Sequence, residues 1–414
     1  MKGVVVVIDG MGDLPCKQLG GKTPLEAANK PNLNYLATKG RLLESYCFGK
    51  EVVPESDSGV LALLGNEKLI GYRGIFEALG MGIELKRGDL ALRTNFATID
   101  NLEDRNIIER RAGRTLTTKE AKTLAQELNK KVKLMRAFEF ISSVQHRGVL
   151  ILRGGFSDNI TNTDPAYRTK VLGNIPDKLN FSKPLDDDEN SKFSSNLVNE
   201  FVEQSFKILN KHWINNERRK KGLLPANVIL TRDASSEMPK INQFKKWACI
   251  AYMPLEVGIA KASGMRVFAF EYPDLKNYDI YENLYSALKK ACNFAEKTIK
   301  KQSKKFEYFY VHLKETDIPG HDNKPLDKRK MIELTDKELF SFLRKFCEKE
   351  KIKIIVTADH STPCSLKNHS SDPVPVLICD WNDKNKKEFS EKETNKARKI
   401  ESKELLKTGD FMKG

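Results

Sequence analysis

Thr357-Ala-Asp-His-Ser-Thr-Pro-Cys-Ser-Leu-Lys-Asn-His369 follows directly on Lys353-Ile-Ile-Val-Thr357. The apolar run is short and bounded by polar residues, which predicts a buried parallel strand. Asp359 and His360 then stand where that strand ends and a loop begins. In open α/β sheets the ligand crevice lies outside the carboxyl ends of the strands. Three metal-competent side chains, Asp359, His360 and His369, fall in this loop, although the chain has only 6 His in 414 residues. Taken alone, the loop could equally be a capped polar turn with surface histidines.

The rest of the chain supplies partners. Val4-Val-Val-Val-Ile8 predicts a second buried strand and ends in Asp9-Gly10-Met11-Gly12. Phe306 to Leu313 predicts a third, followed by Asp317 and His321, four apart and able to face one ion from a loop or helical turn. His312 sits in that strand's alternation and is expected to be a packed core residue. Ser56 is expected just before or at a helix N-terminus, where orphan N–H groups favour an anion such as phosphate; a plain capping role is the competing reading. Carboxylates and imidazoles without thiolate suit Mn²⁺ first, with Zn²⁺, Co²⁺ or Mg²⁺ as alternatives. Two such ions serve in-line phosphoryl displacement, with a serine as nucleophile.

Lys+Arg 71 against Asp+Glu 56 gives a net charge of +15. This allows anionic partners, but no aromatic-interleaved basic block marks a nucleic-acid surface. Seven scattered Cys without a Cys-x-x-Cys pair indicate neither a disulfide framework nor a thiolate zinc site. No secretory h-region or 18-residue apolar run is present, so no membrane partner and a cytoplasmic location are expected. From about Glu84 the texture changes. Leu90 to Ile99 alternates, Thr118 to Val132 is an amphipathic helix, and 138–152 contains two further strands. Asp164 to Ser194 is expected to be a polar loop, and Ser195 to Trp213 a helix. Ala226 to Thr231 is expected to return to the core sheet. The expected organisation is a discontinuous α/β core, 1–83 and 223–414, with an inserted α+β domain at 84–222. Within that block His146, Arg147, Arg110, Arg111, Arg114, Arg218 and Arg219 could converge as an anion clamp.

The motifs Asp9-Gly-Met-Gly-Asp13, Thr23-Pro-Leu-Glu26, Ser56-Asp57, Phe76-Glu-Ala-Leu-Gly80, Arg110-Arg-Ala-Gly-Arg114, Asn216-Glu-Arg-Arg219, Gly320-His-Asp-Asn-Lys-Pro325 and Ala358-Asp-His-Ser-Thr-Pro-Cys364 together resemble the archaeal-type 2,3-bisphosphoglycerate-independent phosphoglycerate mutases of the alkaline phosphatase superfamily. The resemblance runs from Lys2 to about Ile378. It implies an alkaline-phosphatase-like, mainly parallel sheet flanked by helices. It implies that Ser56 carries the phosphoryl group between the 3- and 2-oxygens of glycerate. It implies one metal held by Asp9, Ser56, Asp359 and His360, and another by Asp317, His321 and His369, with the inserted domain's cations holding phosphoglycerate. The chain departs from the family at Glu55, where a Gly is usual, at Gly65-Asn-Glu-Lys68, and at Arg232-Asp-Ala-Ser235. Its C-terminal segment is Lys/Glu-rich in place of a Gly-rich stretch and apolar helix. A metal-dependent phosphatase or other phosphomutase of the superfamily is the alternative expectation.

Overall fold

The computed structural model describes residues 1–69, 71–167, 178–275, 279–383 and 386–411. The chain divides into two compact units, one of Met1–Leu69, Ile241–Glu271 and Tyr281–Gly414, the other of Ile70–Lys240 and Tyr272–Ile280. The strands among the described residues, in order, are β1 (Gly3–Ile8), β2 (Gly40–Tyr46), β3 (Leu90–Ile99), β4 (Ile107–Glu109), β5 (Phe138–Ser142), β6 (Arg147–Leu152) and β7 (Val228–Ser235). They continue with β8 (Trp247–Ile250), β9 (Arg266–Phe268), β10 (Tyr308–Leu313), β11 (Lys353–Thr357), β12 (Val374–Cys379) and β13 (Lys399–Glu401).

The first unit is built on an eight-stranded sheet, β13-β2-β12-β11-β1-β10-β8-β9. From β11 to β9 every neighbouring pair is parallel. Every residue of β1 is buried, as a strand covered on both faces by helices requires. The register aligns Val7 with both His312 and Thr357. Strands β11, β1 and β10 therefore end level, and whatever follows each is delivered to one edge. Asp9, Asp317 and Asp359 are all delivered to that edge, Asp9 from the opposite end of the chain to the other two.

The second unit carries a five-stranded sheet in which β3 pairs antiparallel with β4, β6 and β7, and β6 with β5. The strand at Val228–Ser235, expected in the core sheet, thus belongs to this one; its apolar run suits any buried strand, and only pairing distinguishes them. All ten residues of β3 are buried. Leu90 and Leu92 face a large core with Leu124, Phe140 and Phe201, while Ala91 faces a smaller one with Ile75 and Val149. The helix expected from Ser195 begins at Glu189, where the Asp188 side chain accepts from Asn190 N–H as its cap. Residues 168–177 of the expected polar loop lie outside the described residues. Among the described residues, no helix is long and apolar enough to cross a membrane.

Candidate active site

Asp9 leaves β1 fully buried, and the chain turns at once through Gly10 at φ +59°. A Cβ on Gly10 would lie 2.6 Å from Thr362 Oγ1 and 2.8 Å from Asp317 Oδ1, so a side chain here would displace the neighbouring loops. Gly10 N–H donates to Asp359 Oδ1 at 3.2 Å. Ser56 is the first residue of the helix Ser56–Leu63 and is buried. Gly59 lets that helix approach, since a Cβ there would stand 2.5 Å from the Asp359 carbonyl oxygen. Asp317 and His321 occupy the single helical turn Asp317–His321 after β10.

The structure brings Asp9, Ser56, Asp317, His321, Asp359, His360 and His369 together. His360 Nε2 lies 3.2 Å from Ser56 Oγ, 3.3 Å from Asp359 Oδ2 and 3.5 Å from Asp9 Oδ1. Asp317 lies 3.3 Å from His321 Nε2 through one oxygen and 3.6 Å from His369 Nε2 through the other. The His360 and His369 rings stack with centroids 3.7 Å apart. The ligand atoms of Asp9, Asp359 and His360 fall within 4.8 Å of one another, as do those of Asp317, His360 and His369, so His360 reaches both groups.

The hydrogen bonds set the tautomers. His369 Nδ1–H donates to the Pro54 carbonyl at 2.9 Å, and His321 Nδ1–H to the Lys367 carbonyl at 3.1 Å. Thr362 Oγ1 gives its proton to Asp317 Oδ1 at 2.7 Å, so it accepts from His360 Nδ1–H at 3.0 Å. All three rings therefore turn an Nε2 lone pair toward carboxylates, with no proton between. Asp9 Oδ1 and Asp359 Oδ2 are buried without a hydrogen-bond partner among the described residues. Burial, then Asp9 opposite, push the Asp359 carboxyl up to about 8. Burial, then His369, hold His360 well below the usual imidazole range, and burial also lowers His369, which favours the neutral form of both rings. Facing lone pairs and crowded carboxylates are what a divalent cation relieves, and the donor set fits one.

Three residues beside this cluster were not singled out as site residues from the sequence. Lys314 Nζ donates to Asp9 Oδ2 and, at 3.1 Å, to Ser56 Oγ, and lies 3.3 Å from Glu256 Oε1. Burial works against its charge, but Asp9 and Glu256 more than offset this and raise its pKa. His312 is buried as expected, yet it is not mere packing: its Nε2 meets Asp9 Oδ2 at 2.9 Å. Tyr310 and His312 lie on one face of β10 and Lys314 keeps the same spacing just past its end, so the period-2 pattern Tyr-x-His-x-Lys was the available signal.

In the second unit, His146 is buried, and its Nδ1 has no hydrogen-bond partner among the described residues. Burial, then Arg147, Arg111, Arg93 and Arg114, hold its pKa well down. Arg110 pairs with Asp164 at 3.2 Å. Arg218 is engaged differently: its guanidinium donates to the carbonyls of Leu224, Thr115 and Ala112, to Thr115 Oγ1 and to Glu120, bracing a turn. Arg219 donates to Asn210 and Asn216 at the surface. The positive field at His146 comes from Arg147, Arg111, Arg93 and Arg114, while Arg218 and Arg219 have other partners. The structure adds a buried set the sequence did not single out, in which Glu77 Oε1 lies 2.8 Å from Arg93 Nε and 3.3 Å from Arg73 Nε, with Arg232 also adding its positive field. Asp233 keeps a left-handed φ of +52°.

Fold and cluster together define the class: an α/β protein with a cation-competent pocket at the carboxyl edge of a mainly parallel sheet. The profile described as 2,3-bisphosphoglycerate-independent phosphoglycerate mutase matches residues 37–215. A mutase of that name from Methanosphaera stadtmanae is 40% identical over 387 residues, covering 91% of this chain and 88% of its own. One from Thermococcus kodakarensis is 37% identical with the same coverage, 91% and 88%. Among solved structures, a Pyrococcus horikoshii protein superposes with a TM-score of 0.74 at 27% identity, covering 100% of this chain and 98% of its own. The cofactor-independent phosphoglycerate mutase of Thermoplasma acidophilum gives 0.57 at 28% identity over 100% of both. The chain belongs to the 2,3-bisphosphoglycerate-independent phosphoglycerate mutase family.

Proposed function

We propose that this protein interconverts 3-phosphoglycerate and 2-phosphoglycerate through a phosphoserine at Ser56, with two divalent ions. The observation that carries the reading is the set of three imidazoles, each anchored through Nδ1–H and offering Nε2 to Asp9, Asp317 and Asp359, around the Ser56 hydroxyl. Family membership supports the substrate. Asp9, Ser56, Asp359 and His360 would hold one ion, and Asp317, His321 and His369 the other, with Mn²⁺ the first choice. Such ions, when bound, supply Lewis-acid polarisation of the phosphoryl group and favour the serine alkoxide.

This chain's own groups do the rest. Ser56 Oγ gives up its proton and attacks phosphorus, the bond from phosphorus to the 3-oxygen breaks, and that oxygen takes up one proton in exchange, leaving phosphoserine and free glycerate. Lys314, 3.1 Å from Ser56 Oγ, keeps a positive charge beside the nucleophile as negative charge builds on the transferring group. The helix N-terminus at Ser56 adds its dipole in the same sense. His146, Arg147, Arg110, Arg111 and Arg114 are proposed to retain glycerate until its 2-oxygen attacks phosphoserine and the bond from phosphorus to Ser56 Oγ breaks. The test is ³¹P NMR of the full chain with 3-phosphoglycerate and Mn²⁺, without 2,3-bisphosphoglycerate. A growing 2-phosphoglycerate resonance at constant organic phosphate is expected. Release of inorganic phosphate alone would overturn the mutase reading in favour of a phosphatase.

A further inference from the structure

The two oxygens of Asp9 have different surroundings. Oδ1 faces the imidazole cluster, 3.5 Å from His360 Nε2, and has no hydrogen-bond partner among the described residues. Oδ2 is taken by Lys314 Nζ and by His312 Nε2 at 2.9 Å. Behind His312, its Nδ1 meets the Tyr310 hydroxyl at 3.0 Å. Tyr310 and His312 are both buried and lie two apart on β10, so they share one face, and the pairing of Val7 with His312 puts Asp9 on that face one step further. A carboxylate only accepts, so His312 Nε2 carries the hydrogen toward Asp9. Burial, then nearby Cys249 and Asp359, keep the Tyr310 phenol protonated, so its hydroxyl stays against Nδ1 as a hydrogen-bond partner. This arrangement is the reverse of the one in His321, His360 and His369, whose Nδ1 donates and whose Nε2 is open. His312 therefore has no lone pair for a cation at Asp9. Glu256 Oε1 stands 3.9 Å from His312 Nε2, beyond hydrogen-bond range.

We propose that His312, held by Tyr310, is a positioning residue for metal binding: it fixes Asp9 through Oδ2 so that Oδ1 is presented to the ion. The inference rests on the reading of Asp9 as a ligand. Without the pair, Lys314 alone holds Oδ2, and the carboxylate's arrangement with Asp359 and His360 is less tightly preset.

The experiment measures Mn²⁺ binding to the full chain by calorimetry, with the melting temperature of the metal-free protein alongside. His312→Leu is expected to weaken Mn²⁺ by about 10–100-fold, and His312→Gln, whose amide can donate from a similar place, to recover most of it. Tyr310→Phe keeps the ring and the packing and is expected to weaken Mn²⁺ by a smaller factor, with the metal-free melting temperature close to wild type. ¹⁵N NMR of the metal-free protein is expected to find His312 protonated at Nε2. Wild-type Mn²⁺ affinity in both His312→Leu and Tyr310→Phe would overturn the proposal and leave the two-metal reading standing. A His312 protonated at Nδ1 and bare at Nε2 would overturn it equally. If the wild-type chain bound no Mn²⁺, the metal reading itself would fall, and this inference with it.

Discussion

A serine hydroxyl is a weak nucleophile until its surroundings favour loss of its proton. Ser56 has such surroundings: the Lys314 ammonium at 3.1 Å, a helix N-terminus, and the proposed ion that it would share with His360, whose Nε2 lies 3.2 Å away. Ser56→Ala is expected to lower turnover by about a thousandfold or more while the melting temperature stays near wild type, read by ³¹P NMR and calorimetry. Residual turnover within tenfold of wild type would remove Ser56 as the phosphoryl carrier. Most of this site was legible residue by residue, because Asp9, Asp359 and the Asp317–His321 pair all follow apolar strand runs. Lys314 and His312 were harder. A lysine after a strand and a histidine within one look like surface and core, and only the shared face of β10 next to Asp9 gives them a role.

Elements are held around the site by buried polar ties. Lys328, from the helix Pro325–Thr335, is fully buried and donates to Asp13 Oδ2 at 2.8 Å and to the carbonyls of Gly12 and Thr362. Asp13 also accepts from Cys364 N–H at 3.0 Å, so it joins the loop after β1 to the loop after β11. Asp13→Ala strands the Lys328 charge and is expected to cost about 3–5 kcal/mol, measured by denaturant unfolding. A second tie titrates. Thr23, the cap of the helix Pro24–Ala27, donates to Glu391 Oε2 at 2.6 Å, and burial raises Glu391 from 4.5 to about 7. The folded pKa lies above the unfolded one, so folding takes up a proton between about pH 4.5 and 7, and stability falls as pH rises through that window. Glu391→Gln is expected to flatten this part of the stability–pH curve; an unchanged slope would show that Glu391 does not titrate there. Neither tie could be read from the sequence, since Thr23 and Glu391 are 368 positions apart. The helix at Ser56, by contrast, starts where its sequence expects.

Across the first unit, residues from Asp9 to His369 converge on one pocket, so an ion bound there links the ends of three strands. Adding Mn²⁺ at about a hundred times its dissociation constant should stabilise the metal-free protein by roughly 2.7 kcal/mol, seen as a higher melting temperature, and EDTA should reverse it and abolish turnover. Equal melting temperatures with and without Mn²⁺ would argue against a shared metal pocket. The strand runs Val4–Ile8 and Lys353–Thr357, with the polar residues that close them, were enough by themselves to determine an α/β sheet and the location of its acidic edge. Apolar runs and period-2 alternation are local properties, and a chain carries them in plain order. Tertiary structure decided what depends on pairing. It put Val228–Ser235 in the second sheet, gave Arg218 and Arg219 partners of their own, and set each imidazole's tautomer through carbonyls and hydroxyls from other segments. A hydrogen bond between residues hundreds of positions apart leaves no periodic trace in the sequence, and such bonds decide which nitrogen faces the cation and which faces away.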